Sequence, residues 1–530
     1  MPSAAAATTS PERLAPGLFL RLATMMALQW GVWVWSPFLG MFLLDAKEFS
    51  FSEMAAIFNV AAVGMLLAPF IAGQFVDRYM ATEKYLGFAH LAGAVVIWQL
   101  SWVEPFWAFL IISLLYSLLF GPTTALTNSL ALRHVPDADR HFGAVRVCGI
   151  FGFIPATIIL GHWLAYAHAP APDEIVDLLV AEQRVEESAR GTLLAERNVR
   201  RGDRVLQGQL VSETDSQIVL ETDQGPQTFS KADVTVWGSN RIKKRREKQI
   251  AIGIADAFKL SALLGVIMGL FCFTLPHTPP SHGAEKYAFI EAWKYIKKQP
   301  LVTLFLVALP LGCVHKLYFV HTGRFVETFE FQTPLIDKIF GLGGGGMMTL
   351  GQMCEAVVMV TIGFYVAKVS RKLLLALGIL AYVVRFGLFA YAHQIEQLVG
   401  LPASASVIIG LLLHGFGFTW FWFLGYLIVD EKTPTDVRGS AQSLYNLLLF
   451  GFGAIAGSWL AAFVGERAQI AGEGDLLELD YTTLFAWPFW ISLSCLLALL
   501  LSYPHQRPGE IAAETASETA SETGADGQTA

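Results

Sequence analysis

Residues 301–323 read LVTLFLVALPLGCVHKLYFVHTG. A helix needs about 20 apolar residues to cross the roughly 30 Å of hydrocarbon in a bilayer, so this run is long enough to span it. Its second half nevertheless carries His315, Lys316, Tyr318, His321 and Thr322. Lipid offers such groups no partners, so they must face other protein or a water-filled cavity. The stretch therefore predicts a membrane helix that lines something polar.

Working outward, comparable runs lie at 18–44, 53–76, 84–103, 106–131, 142–167 and 251–275, then at 340–367, 372–393, 403–429, 440–465 and 482–503. Together they predict about twelve spans, six on each side of a charged loop at 277–300. The composition agrees: 54% of the 530 residues are hydrophobic, only 15% are charged, and the mean hydropathy is +0.49. A soluble domain with a polar shell does not sustain that balance. The net charge of −7 offers no basic excess for a polyanion, so nucleic-acid binding is not expected. The five cysteines, Cys148, Cys272, Cys313, Cys354 and Cys495, stand singly in apolar segments with no metal or redox spacing.

Lys and Arg concentrate in cytoplasmic loops, and this bias sets orientation. With both termini cytoplasmic, thirteen fall in inner loops and four (Lys47, Arg324, Lys338 and Arg467) in short outer ones. That arrangement predicts a multi-pass protein of the cell (inner) membrane with both ends inside. Residues 1–17 form a disordered N-terminus, 18–167 the first five helices, 251–276 the sixth, 277–300 the central loop, 301–503 the second bundle and 504–530 a disordered Glu-Thr-Ala-Ser tail.

Residues 168–250 lack a spanning run and are expected to emerge on the outer face. Alternation across about 201–237 predicts a small β-barrel or sheet, with charged helices near 173–196 and 240–249. The basic run Arg241, Lys243, Lys244, Arg245 and Arg246 argues against an outer location, although long loops translocate largely regardless of charge.

Ionisable groups inside spans mark pathways. Glu355 sits in Gly351-Gln352-Met353-Cys354-Glu355, three residues after Gln352 and on its face of the helix. A carboxyl in a partly dry cavity can load and release a proton near neutral pH, and the alternative is a glutamate neutralised by a structural partner. Arg146, one turn inside the fifth span, either meets an anionic group such as Glu355 or reaches back to the headgroups. Arg385 in the ninth span is divided between that reach and a structural ion pair. His315 and Tyr318 on the seventh span, Thr123 and Asn128 after Pro122 on the fourth, and His414, Phe418, Thr419 and Trp422 on the tenth are candidate cavity linings. Gly73, Asp77, Arg78 and Arg438 on the cytoplasmic side suit a conformational latch. No P-loop, metal cluster or catalytic triad spacing is visible, so ATP-driven pumping and catalysis are not expected.

Six plus six helices with Gly-xxx-Asp-Arg after the second resemble the major facilitator superfamily. Local strings resemble its nucleoside:proton symporter branch: Trp30-Gly31-Val32-Trp33, Pro122-Thr123 through Asn128, Arg146 through Phe153, Thr274-Leu275-Pro276-His277, Gln352 with Glu355, Arg385-Phe386 through Tyr391, and Val437 through Gln442. The resemblance implies a secondary carrier that couples nucleoside uptake to the proton gradient by alternating access. It implies that Arg146, Gln352 and Phe418 bind substrate and that Glu355 takes the proton, with no cofactor besides that proton. Where the family has an aspartate on helix ten this chain has Thr419, and the His315–Tyr318 group stands where amides are expected. A carrier for another small polar solute, or a non-transporting receptor using the outer insert and its unknown partner, are the alternatives. A monomer in lipid is expected.

Overall fold

The computed structural model describes residues 14–71, 79–136, 138–201, 204–231, 234–279, 294–329, 334–366, 368–434, 438–470 and 478–504. Ten helices among them are long and apolar enough to cross a membrane. They are Pro16–Ala46, Phe106–His134, His141–Ala167, Asn240–Cys272, Leu301–Thr328, Gly345–Phe364, Arg371–Ala390, Ala403–Glu431, Ala441–Arg467 and Tyr481–Ser502. The helices Phe51–Ile71 and Thr82–Gln99 occupy the second and third expected spans.

By packing, the chain divides into Met1–Ser36 with Ile57–Leu160 and Ile254–Ala284, and Pro37–Ala56 with Gly161–Gly253 and Glu285–Ala530. This differs from the sequence expectation of a boundary in the central loop. Glycines explain the difference. A Cβ on Gly40 would strike the backbone of Val320, one on Gly323 the Pro37 carbonyl, and one on Gly161 the Phe340 carbonyl at 2.6 Å. Segments flanking the first, second and fifth spans therefore pack as part of the second unit.

In the first unit the Thr82–Gln99 helix lies against Ala255–Cys272. Gly265 and Gly269, four apart, let the backbones close, since a Cβ on Gly269 would sit 3.0 Å from the Gly87 carbonyl. Small residues at this spacing are what helix association in lipid requires, because burial of apolar surface gives no driving force there. Leu22, Met26, Leu86, Leu130 and Met268 fill the core.

In the second unit, Leu301–Thr328 is flanked by Gly453–Arg467 and Tyr481–Ser502, and Arg371–Ala390 by Ala403–Gly417 and Tyr481–Ser502. The sequence between its fifth and sixth long spans forms a five-stranded antiparallel sheet. Its strands are β1 (Glu196–Arg201), β2 (Arg204–Glu213), β3 (Gln217–Thr222), β4 (Gly225–Ser230) and β5 (Thr235–Gly238), in the order β4-β3-β2-β1-β5. Val199, Ile218, Leu220, Phe229 and Val234 fill one face. The period of two in Ile218 and Leu220 puts both on that face.

The charged helices Pro172–Ala181 and Asn240–Gly253 meet through Ile175, Val176, Leu179 and Ile242. The basic run is neutralised within this unit: Arg245 pairs with Glu182, Lys244 with Glu478, and Lys248 with Glu48. Arg324, expected in an outer loop, is instead buried in its helix, where Nε donates to both Asp45 carboxylate oxygens at 2.8 and 3.1 Å and Nη1 to the Tyr481 hydroxyl at 3.2 Å.

Candidate functional site

In the first unit the polar residues form a closed network. Gln29 Nε2 donates to Thr123 Oγ1 at 3.0 Å, Gln29 Oε1 faces His90 Nε2 at 2.9 Å, and Thr123 donates to the Phe120 carbonyl at 2.6 Å. Thr123 is fully buried, so its hydroxyl holds three helices together rather than facing an open cavity. That carbonyl needs a partner because Pro122 leaves the helix one N–H short. Asn128 is half-buried and donates to the Thr124 carbonyl at 3.0 Å, which leaves its own amide oxygen available.

Arg146 is exposed near the end of the Ala138–Val147 helix. The helix breaks immediately after it and resumes at Ile150. Gly149 presses on the Trp30 indole and Gly152 on the Ala27 backbone, so Trp30-Gly31 and Gly149-Ile150-Phe151-Gly152 are the two faces of one close helix crossing. The break aims the guanidinium away from lipid without a long reach to headgroups.

On the cytoplasmic side of the expected topology, Glu83 accepts hydrogen bonds from His277 Nδ1 at 2.8 Å and the Thr278 amide at 3.0 Å. Burial pushes its carboxyl up, but these bonds outweigh the desolvation and hold it below the usual carboxylate value. The latch residues Gly73, Asp77 and Arg78 lie outside the described residues. Arg438 opens the Arg438–Asn446 helix, and its side chain is likewise outside them.

The second unit gathers His315, Tyr318 and Phe418 around two residues absent from the sequence-derived site, Arg385 and Tyr382. The His315 ring lies 4.3 Å from Trp422, 5.4 Å from His414 and 6.1 Å from Phe418, centroid to centroid. Tyr318 stacks on His414 at 4.9 Å. The Tyr382 hydroxyl accepts from Trp422 Nε1 at 2.8 Å and meets His315 Nδ1 at 3.1 Å. Arg385 is 1% exposed, so it neither reaches headgroups nor stands at an interface. Its guanidinium lies over the Tyr318, Tyr382 and Phe386 rings at 4.4, 4.5 and 4.7 Å, and Nη1 donates to His414 Nδ1 at 2.9 Å. An arginine in the middle of an apolar span was the available signal; its ring partners could not be read from spacing.

Glu355 and Gln352 lie half-buried on Gly345–Thr361, which packs on the Ala403–Gly417 helix. A Cβ on Gly351 would come 2.8 Å from the His414 Cβ, and one on Gly415 would strike the Glu355 backbone. The glycines thus bring Glu355 to the turn that carries His414. Beyond Gly417 the helix widens into a π turn over Phe418–Phe423, a form frequent at functional sites. Gln352 Oε1, Tyr318 Oη and Thr419 Oγ1 are buried without hydrogen-bond partners among the described residues. Such groups are costly unless a ligand or water meets them. The arrangement presents flat aromatic faces beside a carboxylate and several hydrogen-bonding groups, which suits a planar polar solute. No group of three or more His, Cys, Asp or Glu among the described residues is placed to hold a metal.

Comparison with known proteins agrees with this architecture. The chain is 24% identical over 490 residues to YegT of Escherichia coli (strain K12), covering 91% of this chain and 92% of that protein. It is 22% identical over 477 residues to the xanthosine permease of the same organism, covering 86% and 90%. The crystal structure of the nucleoside transporter NupG superposes with a TM-score of 0.64 at 18% identity, covering 92% of this chain and all of that one, so the two share a fold. The apolar helices and these relatives identify a multi-pass membrane protein and not an enzyme. The family described as nucleoside H+ symporter matches residues 17–183 and 253–506, on both sides of the sheet-bearing insert, and the chain belongs to that family.

Proposed function

We propose that the protein is a secondary active transporter that carries nucleosides into the cell with protons, by alternating access. Its membership of the nucleoside H+ symporter family through both helical halves carries this reading. The geometry supports it: a carboxylate beside a buried aromatic cluster offers a proton site next to surfaces on which a base can stack. In the finer scheme twelve helices cross the inner membrane with both termini cytoplasmic, and residues 168–250 stand outside. Glu355 takes the proton, and His315, Tyr318, Gln352 and Phe418 receive the substrate. Arg146 and Asn128 contribute from the first unit, with Gly73, Asp77, Arg78 and Arg438 as the cytoplasmic latch. No cofactor is required besides the proton, and the partners are the nucleoside and the lipid.

The test is uptake of labelled uridine and adenosine into proteoliposomes with and without an imposed proton gradient, comparing the intact protein with Glu355→Gln. Gradient-driven uptake abolished in the variant is the expected result. A folded, reconstituted protein that moves neither nucleoside refutes the assignment.

A further inference from the structure

We propose that Arg385, held in place by His414, is the buried counter-charge of Glu355 and sets the pH at which the carrier loads its proton. The inference rests on the proton-symport reading above and deepens it.

Arg385 is nearly inaccessible, and only Nη1 has a hydrogen-bond partner; Nε and Nη2 have none among the described residues. A guanidinium keeps its proton under all ordinary conditions. A fixed cation in this position is costly unless a negative charge lies near it. The groups facing it from the neighbouring helices do not supply one. His414 accepts at Nδ1, which requires that nitrogen to be unprotonated, so the ring is neutral with its proton on Nε2. Tyr382, already accepting from Trp422, turns its own proton to His315 Nδ1, which leaves His315 neutral by the same argument. Tyr318 offers a ring face. Phe485 of the Tyr481–Ser502 helix stacks on Phe386 and carries no charge. Lys316, whose Cβ lies against Gly457, adds a positive charge.

The acid on the elements packed around this cluster is Glu355. Gly351 and Glu355, four residues apart, share the face of their helix that meets His414 and Gly415. The Glu355 carboxylate also interacts electrostatically with the hydroxyl of Tyr382, whose ring Arg385 covers. With Glu355 ionised, the two charges balance across the Ala403–Gly417 helix. When one proton moves from water to the carboxylate, no other bond changes and the site is left with a net positive charge. Arg385 thereby opposes premature loading and holds the loading pH down. It acts through Glu355 and does not touch substrate, so it is a positioning residue.

Two readouts test this. In gradient-driven uptake, Arg385→Gln should move the pH midpoint upward by about one unit, the scale set by one opposite charge nearby, while Arg385→Lys keeps the midpoint within a few tenths. In purified protein without transport, thermal unfolding of Arg385→Gln, Glu355→Gln and the double variant should be non-additive, the arginine loss costing less once the carboxylate is gone. An unshifted midpoint in folded Arg385→Gln, or an additive cycle, overturns the proposal. If Arg385→Gln folds only in the Glu355→Gln background, the pairing is supported; if it fails in both, Arg385 is merely structural and the proposal is wrong. Because the unfolding cycle needs no uptake, it distinguishes failure of this pairing from failure of the symport reading.

Discussion

Replacing Gly415 by alanine pits two effects of opposite sign against each other. In a helix interior alanine is favoured over glycine by about 1 kcal/mol, so a neutral site would gain stability. At Gly415 the new methyl would lie 2.5 Å from the Cys354 carbonyl carbon and 2.8 Å from the Glu355 Cα. Both are backbone atoms of a packed helix and cannot rotate aside, so the two helices must separate. Overpacking of that kind costs about 1–3 kcal/mol, which cancels or exceeds the propensity gain. Gly415→Ala should therefore lower the unfolding temperature in detergent or, at the least, fail to raise it. Moving Glu355 away from His414 should also weaken gradient-driven uptake more than it weakens folding. Gly143→Ala is the control: nothing lies within 4 Å of its Cβ position in the Ala138–Val147 helix, so it should gain up to about 1 kcal/mol. If Gly415→Ala is stabilised as much as Gly143→Ala with coupling intact, the close approach of these helices is not what places Glu355.

Thr123→Val removes the hydroxyl between Gln29 and the Phe120 carbonyl and leaves a buried amide donor unsatisfied, so it should cost about 1–3 kcal/mol in thermal unfolding, whereas an unchanged midpoint would dissolve the network. Glu83 is held below its ordinary value, so the stability it contributes is fully present above the unfolded-state value and is lost as pH falls through the folded one. Unfolding curves of the intact protein and Glu83→Gln should thus differ at neutral pH and converge in acid, and a constant gap down to about pH 3 would contradict the assignment. Lys244→Glu should destabilise the insert, and Glu478→Lys should restore it in the double variant. With both side chains partly exposed the coupling should be about 1 kcal/mol or less and should shrink at high salt, so a salt-independent value would exclude the ion pair as its source.

Some of this protein was legible in one dimension. Apolar runs such as 301–323 and 482–503 announce membrane helices because hydrocarbon demands about 20 such residues per crossing, a purely local requirement. The alternation of Ile218 and Leu220 is local in the same way. The family strings were legible too, and the structure gives their reason in Trp30-Gly31 meeting Gly149 and Gly152, where only glycine lets the backbones touch. Glu355 could be singled out because a carboxylate in lipid is costly wherever it sits. Its surroundings could not. Arg385, Tyr382 and His414 come from helices whose rotation about their own axes is set by packing, so nothing in their sequence spacing says that three rings and one imidazole close around the guanidinium. Thr123 was picked for a cavity and turned out to be consumed by Gln29, a residue 94 positions away. The basic run at 241–246 argued against its own location until Glu48, Glu182 and Glu478 supplied its partners from three distant segments. Hydrophobic length and period are properties of neighbours in the chain, whereas the pairing of charges and the satisfaction of buried polar atoms are properties of neighbours in space, and only the tertiary structure decides them.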